Sequence, residues 1–394
     1  MTLTEEVFSQ GKYTHDEKKR VAIVFFPWPS STPYKFISEI IKILDPIASK
    51  IVLIGGNTER IHYGSTNVII EDIGVGMHHS KEVKPKLYSM VLWALKWIAV
   101  QIKLSMRIVR KRENFDVIIF YAAYPYYLIP LLSSKIVRKK SIEVITRSKP
   151  NSAGGKLLGL QNHLLFRLLD GISPESYALI GELNLASFRE KILPAGARCI
   201  DTGVYRKKIE LDQRKKVVGY VGRIVKEKGV PQFIDAIPKI ARVDNTVEYV
   251  IGGTGELLGW VKQESQKLEK AYNVKIRVTG FVDESDFPNL LNELTLLVLP
   301  TSHSEGLPTI ILESMACGTP VLATGAGAIM DIVENENTGF ILEDTKPDTI
   351  AEGVIRAINH PELNKISDRA QHVITANYSY AMAVKRWQGI ILGV

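Results

Sequence analysis

The chain has almost no cysteine. Cys199 and Cys317 are the only two in 394 residues, there is no CxxC pair, and the eight histidines do not cluster. This scarcity excludes a disulfide scaffold and a structural zinc centre, and it points to a reducing compartment. No apolar run reaches the roughly 18 uninterrupted residues of a membrane span. The first twenty residues, MTLTEEVFSQGKYTHDEKKR, lack the apolar stretch of a signal peptide and read as a flexible lead-in. No repeat has solenoid spacing, and no helix-turn-helix, zinc finger or RNP-like strand is present, so nucleic acid is not an expected partner.

What is present belongs to a globular protein: 45% hydrophobic and 23% charged residues. The length exceeds that of one ordinary core and suggests two domains with a cleft between them. Short β-branched runs alternate with helical stretches: VAIVFF (21 to 26), IVLIGG (51 to 56), VIIFYA (117 to 122) and IEVITR (142 to 147). A second series follows with VVGYVG (217 to 222), VEYVI (247 to 251), KIRVTG (275 to 280), LTLLVLP (294 to 300), PVLAT (320 to 324) and GFILE (339 to 343). The alternation predicts an α/β protein with two doubly wound, Rossmann-like lobes facing a central cleft. The expected lobes are 17–204 and 210–375, joined by the polar segment 203 to 216 and followed by a closing helix over 376–394.

The net charge is +8, and Lys and Arg bunch in KLSMRIVRKR (103 to 112) and KIVRKK (135 to 140), a surface for anions. Residues 87 to 112 form a long helical pattern dense in Leu, Ile, Val and Trp but broken by Lys96, Lys103 and Arg107. Two readings stand: a helix lying in the interface of an anionic membrane, or a core helix whose cations reach solvent.

The chemistry-bearing residues follow strands of the second series. In SEGLPTIILESMACGTPV (304 to 321), Pro308 suits a first helical turn and Gly318 its stop. The free amides of residues 306 to 309 would face the carboxyl end of the sheet, where they can hold a phosphate or sugar oxygen. Glu305 can accept hydrogen bonds from sugar hydroxyls, and Glu313, too deep in the helix for capping, can grip the two hydroxyls of a ribose. Taken as an isolated pair, they favour the plainer reading, with Glu313 as the polar edge of an amphipathic helix. In GYVGRIVKEKGV (219 to 230), Arg223 and Lys228 bring two cations to one strand end, a set suited to a diphosphate. IGGTGE (251 to 256) is a glycine-rich turn without full dinucleotide spacing, and the backbone of Phe281 and Val282 can meet a base edge.

From Val217 to Asp344, through GYVGRIVKEKG, GGTGE, TGFVD, LVLPTSHSEGLPTIILESMACGTPVLAT and GFILED, the chain resembles the retaining nucleotide-sugar glycosyltransferases of family 4, which have the GT-B fold. The resemblance implies that Glu305 contacts the donor sugar near the transferred carbon and that Glu313 binds ribose. It implies that Arg223 and Lys228 hold the diphosphate in place of a metal. Gly306, Leu307, Pro308 and Thr309 would then lie against sugar and phosphate, and Gly222, Gly253 and Val282 would line the nucleotide. The implied donor is a UDP- or GDP-sugar, with no metal or other cofactor.

The first lobe departs from the family pattern. PWPSSTPYK (27 to 35) has no glycine where relatives carry a glycine-rich loop, and TRSKPNSAGG (146 to 155) has no histidine where they often place one. Arg147 and Lys149 are candidates for an anionic acceptor, and the tyrosines at 121, 124, 126 and 127 for an acceptor sugar, a membrane face or core packing. His163 reads as a packed or solvated residue. The expectation is a cytoplasmic enzyme, peripheral on the inner face of the membrane, that transfers a sugar onto a glycan or lipid-linked acceptor. A soluble transferase, a nucleotide-sugar epimerase and a non-catalytic nucleotide-sugar-binding subunit remain as alternatives.

Overall fold

A computed structural model of the chain describes residues 18–28, 32–75, 87–121, 127–146, 163–194, 198–302 and 307–393. The chain divides into two compact units, one formed by Met1–Ala197 with Ala383–Val394 and the other by Arg198–Met382. The polar segment 203 to 216 lies inside the second unit. It is fixed there by Arg214, whose guanidinium donates to the carbonyls of Leu294 (2.8 Å) and Cys317 (2.8 Å) and to Thr319 Oγ1 (2.6 Å). Burial pulls the pKa of that guanidinium down to about 10, and the carbonyls supply the compensation that a buried cation requires.

In the first unit the elements are β1 (Arg20–Phe25), α1 (Thr32–Leu44), β2 (Lys50–Gly55), β3 (Val68–Asp72), α2 (Leu87–Arg110), β4 (Val117–Tyr121), α3 (Leu128–Ile136), β5 (Lys140–Ile145), β6 (Gly171–Pro174) and α4 (Ala178–Glu182). All its strand pairs are parallel, in the order β3-β2-β1-β4-β5-β6. The second unit holds β7 (Val217–Val221), α5 (Val230–Val243), β8 (Glu248–Gly252), α6 (Leu258–Tyr272), β9 (Ile276–Gly280), α7 (Phe287–Glu293), β10 (Leu296–Leu299), α8 (Thr309–Ala316), β11 (Val321–Thr324), β12 (Phe340–Leu342), α9 (Pro347–Ile358) and α10 (Leu363–Asn377). Its sheet runs β12-β11-β10-β7-β8-β9, again with every pair parallel. Counted from each unit's own first strand, both sheets have the order 3-2-1-4-5-6 of a doubly wound fold. The last helix, α11 (Tyr380–Leu392), begins in residues of the second unit and ends in residues of the first.

Central strands are buried along their whole length, as parallel sheets covered on both faces require. All five residues of β4 and of β7 are buried. On one face of the second sheet Val218, Tyr220 and Ile251 join one apolar cluster, and on the other Val217, Val221 and Val250 join a second. Two strands escaped the sequence pattern, β3 and β6. Both are edge strands, where fewer apolar residues are needed. The carboxylate of Glu71 in β3 pairs with Lys111 (2.6 Å) and Arg107 (3.5 Å), and β6 is the short run GISP.

Residues 87 to 110 form one helix, α2, with two different apolar faces. Val100, Leu104 and Ile108 are wholly buried in the first unit's core, whereas Val91, Leu95 and Ile102 on the other face are 51%, 58% and 46% exposed. Among the described residues, no helix is long and apolar enough to cross a membrane.

Candidate active site

In the second sheet β7 lies between β8 and β10, and the chain leaves β7 toward β8 but must cross over to reach β10. Loops that leave two adjacent strands in opposite directions open a crevice at their carboxyl ends. Gly222, Arg223 and Lys228 follow β7, Gly253 follows β8, Val282 follows β9, and Leu307, Pro308, Thr309 and Glu313 follow β10. The sequence-predicted residues of the second unit that are described therefore belong to one edge of one sheet. Glu305, Gly306, Arg147 and Lys149 lie outside the described residues.

The loops at this edge are tied to one another by backbone. The amide of Gly222 donates to the Gly252 carbonyl (3.0 Å), that of Ile224 to Thr254 (2.8 Å), and that of Gly253 to Gly280 (2.7 Å). Gly229 has φ +77°, and a Cβ there would stand 1.9 Å from the Pro300 carbonyl oxygen. At Gly253, with φ +129°, a Cβ would stand 1.8 Å from the Gly222 oxygen. Only glycine combines that conformation with so close an approach. The Ser302 amide and Thr301 Oγ1 both donate to the Glu227 carbonyl at 3.2 Å, and the Tyr220 hydroxyl donates to the Arg223 carbonyl at 2.7 Å. The backbone beneath Arg223 and Lys228 is thus held on several sides, with Arg223 exposed and Lys228 half-buried.

Helix α8 begins at Thr309 after Pro308 in extended backbone (φ −70°, ψ 117°), and Leu307 is buried beneath it. Amides in a first helical turn have no intrahelical acceptor and carry the positive end of the helix dipole. The far end is locked by Ser314 Oγ donating to the Thr319 carbonyl (3.0 Å) and Ser367 Oγ donating to Gly318 (2.6 Å). Glu313, half-buried, is thereby fixed in height along the helix.

Glu313 has a neighbour that the sequence did not suggest. The Tyr205 hydroxyl is hydrogen-bonded to the Glu313 carboxylate, and its pKa is raised by burial first and then by the charge and hydrogen bond of Glu313. Tyr205 packs on the same apolar cluster as Val282 and Ile310. The signal was hidden because Tyr205 sits in a polar segment with no periodicity, 108 positions before its partner. Cys317, buried one turn beyond Glu313, has its thiol pushed up to about 12, chiefly by burial, and is chemically quiet.

At the corresponding edge of the first unit, Tyr121 and Tyr127 are core residues, 1% and 3% exposed, and the Tyr127 hydroxyl is within hydrogen-bonding distance of the carbonyls of Tyr121 (2.9 Å) and Val24 (3.2 Å). Of the three uses open to the tyrosines, these two serve packing, and those at 124 and 126 lie outside the described residues. The exposed His163 packs against Phe188 with ring centroids 4.9 Å apart and the rings tilted by 56°, as a packed surface residue does.

A crevice of this construction suits a phosphate-bearing ligand, and comparison with known proteins narrows it. Residues 201–373 match the family model described as Glycosyl transferases group 1. The matched residues lie within the second unit and span most of it. The alpha-D-kanosaminyltransferase of Streptomyces kanamyceticus is 31% identical over 188 residues, covering 47% of this chain and 47% of that protein. The chain thus spans about half the length of the curated relatives it matches first. The UDP-Gal:alpha-D-GlcNAc-diphosphoundecaprenol alpha-1,3-galactosyltransferase of Escherichia coli is 28% identical over 218 residues, 52% of this chain and 55% of its own. The crystal structure of Anabaena HepE in complex with UDP superposes with a TM-score of 0.72 at 18% identity, over 95% of this chain and 100% of that one. That likeness extends beyond residues 201–373, and the fold of the units is that of the GT-B proteins.

Proposed function

We propose that the protein is a retaining glycosyltransferase of the family 4 type, moving a sugar from a nucleoside diphosphate to a glycan or lipid-linked acceptor. The observation that carries this reading is the switch-point edge of the second sheet, where an exposed Arg, a half-buried Lys, a helix N-terminus and a fixed Glu lie at one end of one sheet, within the residues that match the group 1 model. Uridine is the favoured base: HepE was solved with UDP, and the E. coli relative is named for a UDP-galactose donor. The diphosphoundecaprenol in that relative's name supports a lipid-linked acceptor. With such an acceptor the enzyme works in the cytoplasm at the inner face of the membrane, and residues 87–112 make peripheral contact there.

In this reading Glu313 takes the ribose hydroxyls, and Gly253 and Val282 line the nucleoside. Arg223 and Lys228 neutralise the diphosphate, and the amides around Leu307, Pro308 and Thr309 meet its oxygens and the sugar. As the bond from the anomeric carbon to the diphosphate oxygen breaks, its electron pair stays on the diphosphate. Fixed cations and a helix N-terminus stabilise the charge that develops there. The acceptor hydroxyl bonds to the same face of the anomeric carbon and passes its proton to the departing diphosphate oxygen. Glu305 contacts the donor sugar beside that carbon.

Thermal-shift measurements with UDP, GDP, ADP and their sugar conjugates, repeated on Glu313→Ala, test the reading. A rise in midpoint with UDP or a UDP-sugar, lost in the variant, is the expected result. A nucleotide response indifferent to Glu313 would overturn the site, and inverted anomeric configuration in the product would overturn the stereochemistry.

A further inference from the structure

The outer face of α2 has no role in the donor chemistry. Val91, Leu95, Ile98, Ile102, Met106 and Val109 are between 37% and 58% exposed. Their spacing of four, three, four, four and three residues puts them on a single stripe of the helix, opposite the buried Val100, Leu104 and Ile108. The stripe runs for about 27 Å at 1.5 Å per residue. It continues onto α3, where Leu132 and Ile136 are 43% and 77% exposed. The two helices are joined: the Ile129 amide donates to Gln101 Oε1 at 3.1 Å. A groove of about 320 Å³ between them is lined by Ile102, Ser105, Met106, Val109, Arg110 and Ile129. Monomeric soluble proteins rarely leave so large an apolar patch uncovered.

Charge decides what covers it. The 24 residues of α2 include Lys96, Lys103, Arg107 and Arg110 and no Asp or Glu. Arg107 pairs with Glu71, and Lys103 donates to the Ile73 carbonyl at 3.3 Å, which secures the helix to β3. Lys96 and Arg110 are exposed along the length of the stripe, and Arg138 is exposed just beyond Ile136. A second copy of this face would bring cations against cations. An anionic bilayer offers apolar depth to the stripe and negative headgroups to its flank.

We propose that the outer face of α2, continued by α3, is a docking surface for an anionic lipid bilayer, with α2 lying in the plane of the interface. This deepens the membrane part of the proposed function and does not depend on donor chemistry. The test is co-sedimentation of the full chain, without nucleotide, with vesicles of one part phosphatidylglycerol to two parts phosphatidylcholine, and with phosphatidylcholine alone.

Binding to the mixed vesicles only, weakened by salt, is expected. Ile98→Asp with Ile102→Asp should lower partitioning about tenfold or more at an unchanged thermal midpoint, because both side chains are already exposed. Lys96→Glu with Arg110→Glu should remove the preference for anionic lipid. Wild-type protein left in the supernatant, or full binding by the isoleucine variant, overturns the proposal. So does a dimer in sedimentation analysis that Ile98→Asp dissociates, since the face would then belong to a second copy. Loss of vesicle binding with donor turnover intact would separate this surface from the active site.

Discussion

The two units share one strand order but secure their carboxyl edges differently. Around β7, β8 and β9 most ties run from amide to carbonyl, the Tyr220 and Thr301 hydroxyls adding to them, and Gly229 and Gly253 allow the backbones to touch. Around β1 and β2 one amide-to-carbonyl tie, Ile73 to Gly55 (2.8 Å), is joined by side chains: the Tyr34 hydroxyl donates to the Trp28 carbonyl at 2.9 Å and accepts from Asn57 Nδ2 at 3.1 Å. Backbone ties hold a loop whatever side chains it carries, so that edge can give its side chains to a ligand. Side-chain ties use the very groups that a ligand would need.

If that contrast is functional, substitutions at the second unit's edge should be the costly ones. The largest effect is expected at Glu305→Gln, which should lower kcat by about a hundredfold or more at an unchanged midpoint, the scale seen when a transition-state contact is removed. Arg147→Ala with Lys149→Ala, in the first unit, should instead raise the acceptor KM and spare donor binding. Arg223→Ala with Lys228→Ala should raise the Kd for UDP by about a hundredfold, since a hydrogen bond to a charged group contributes about 1.5–3 kcal/mol. Isothermal titration measures this directly, and equal affinity would remove the diphosphate from this edge.

Stability offers a matched pair. Gly229→Ala forces a Cβ onto the Pro300 carbonyl and should cost about 2–4 kcal/mol, whereas Tyr34→Phe gives up hydrogen bonds worth about 1 kcal/mol. Urea unfolding of the two variants would erase the contrast if the costs were equal.

The first unit should also carry a pH response of its own. Burial raises the Glu143 carboxyl from 4.5 to about 8. Between those values the folded chain keeps a proton that the unfolded chain has released, so stability should fall as pH rises across that window and level off on either side. Glu143→Gln should flatten this limb, raising the midpoint at pH 8 more than at pH 5. The smallest effect belongs to Tyr205→Phe, which keeps the ring and removes the bond to Glu313. A rise of a few-fold in the Kd for UDP, with kcat unchanged, is expected for a group that only orients the carboxylate.

The same contrast explains what the sequence disclosed. Glycines at strand ends form a local pattern, so GYVGRIVKEKG and GGTGE indicate both the fold and the edge proposed to hold the donor. The buried runs of β1, β2, β4, β5, β7, β8, β10 and β11 are legible because buried strands are apolar, and the edge strands β9 and β12 through their β-branched or apolar residues beside a glycine. Edge strands β3 and β6 are not: β3 is only partly buried and its Glu71 is paired at a distance, and β6, though buried, is the four-residue run GISP with a single β-branched residue. Tyr205 and Glu313 lie in different segments, and the Tyr34–Asn57 tie spans 23 positions, so neither leaves a local motif. The two faces of α2 have similar composition, and only packing distinguishes the buried one from the exposed one.

Arg214 sets an order on how the second unit is completed. Its acceptors at Leu294, Cys317 and Thr319 lie 80, 103 and 105 positions further along the chain. Its one local acceptor is the Ile209 carbonyl; the others await β10 and α8, so the segment that leads into β7 is made first and fastened last. Contacts of such long range form after the loop-closure entropy between them has been overcome. This strap therefore acts on the rate of unfolding more than on the rate of folding.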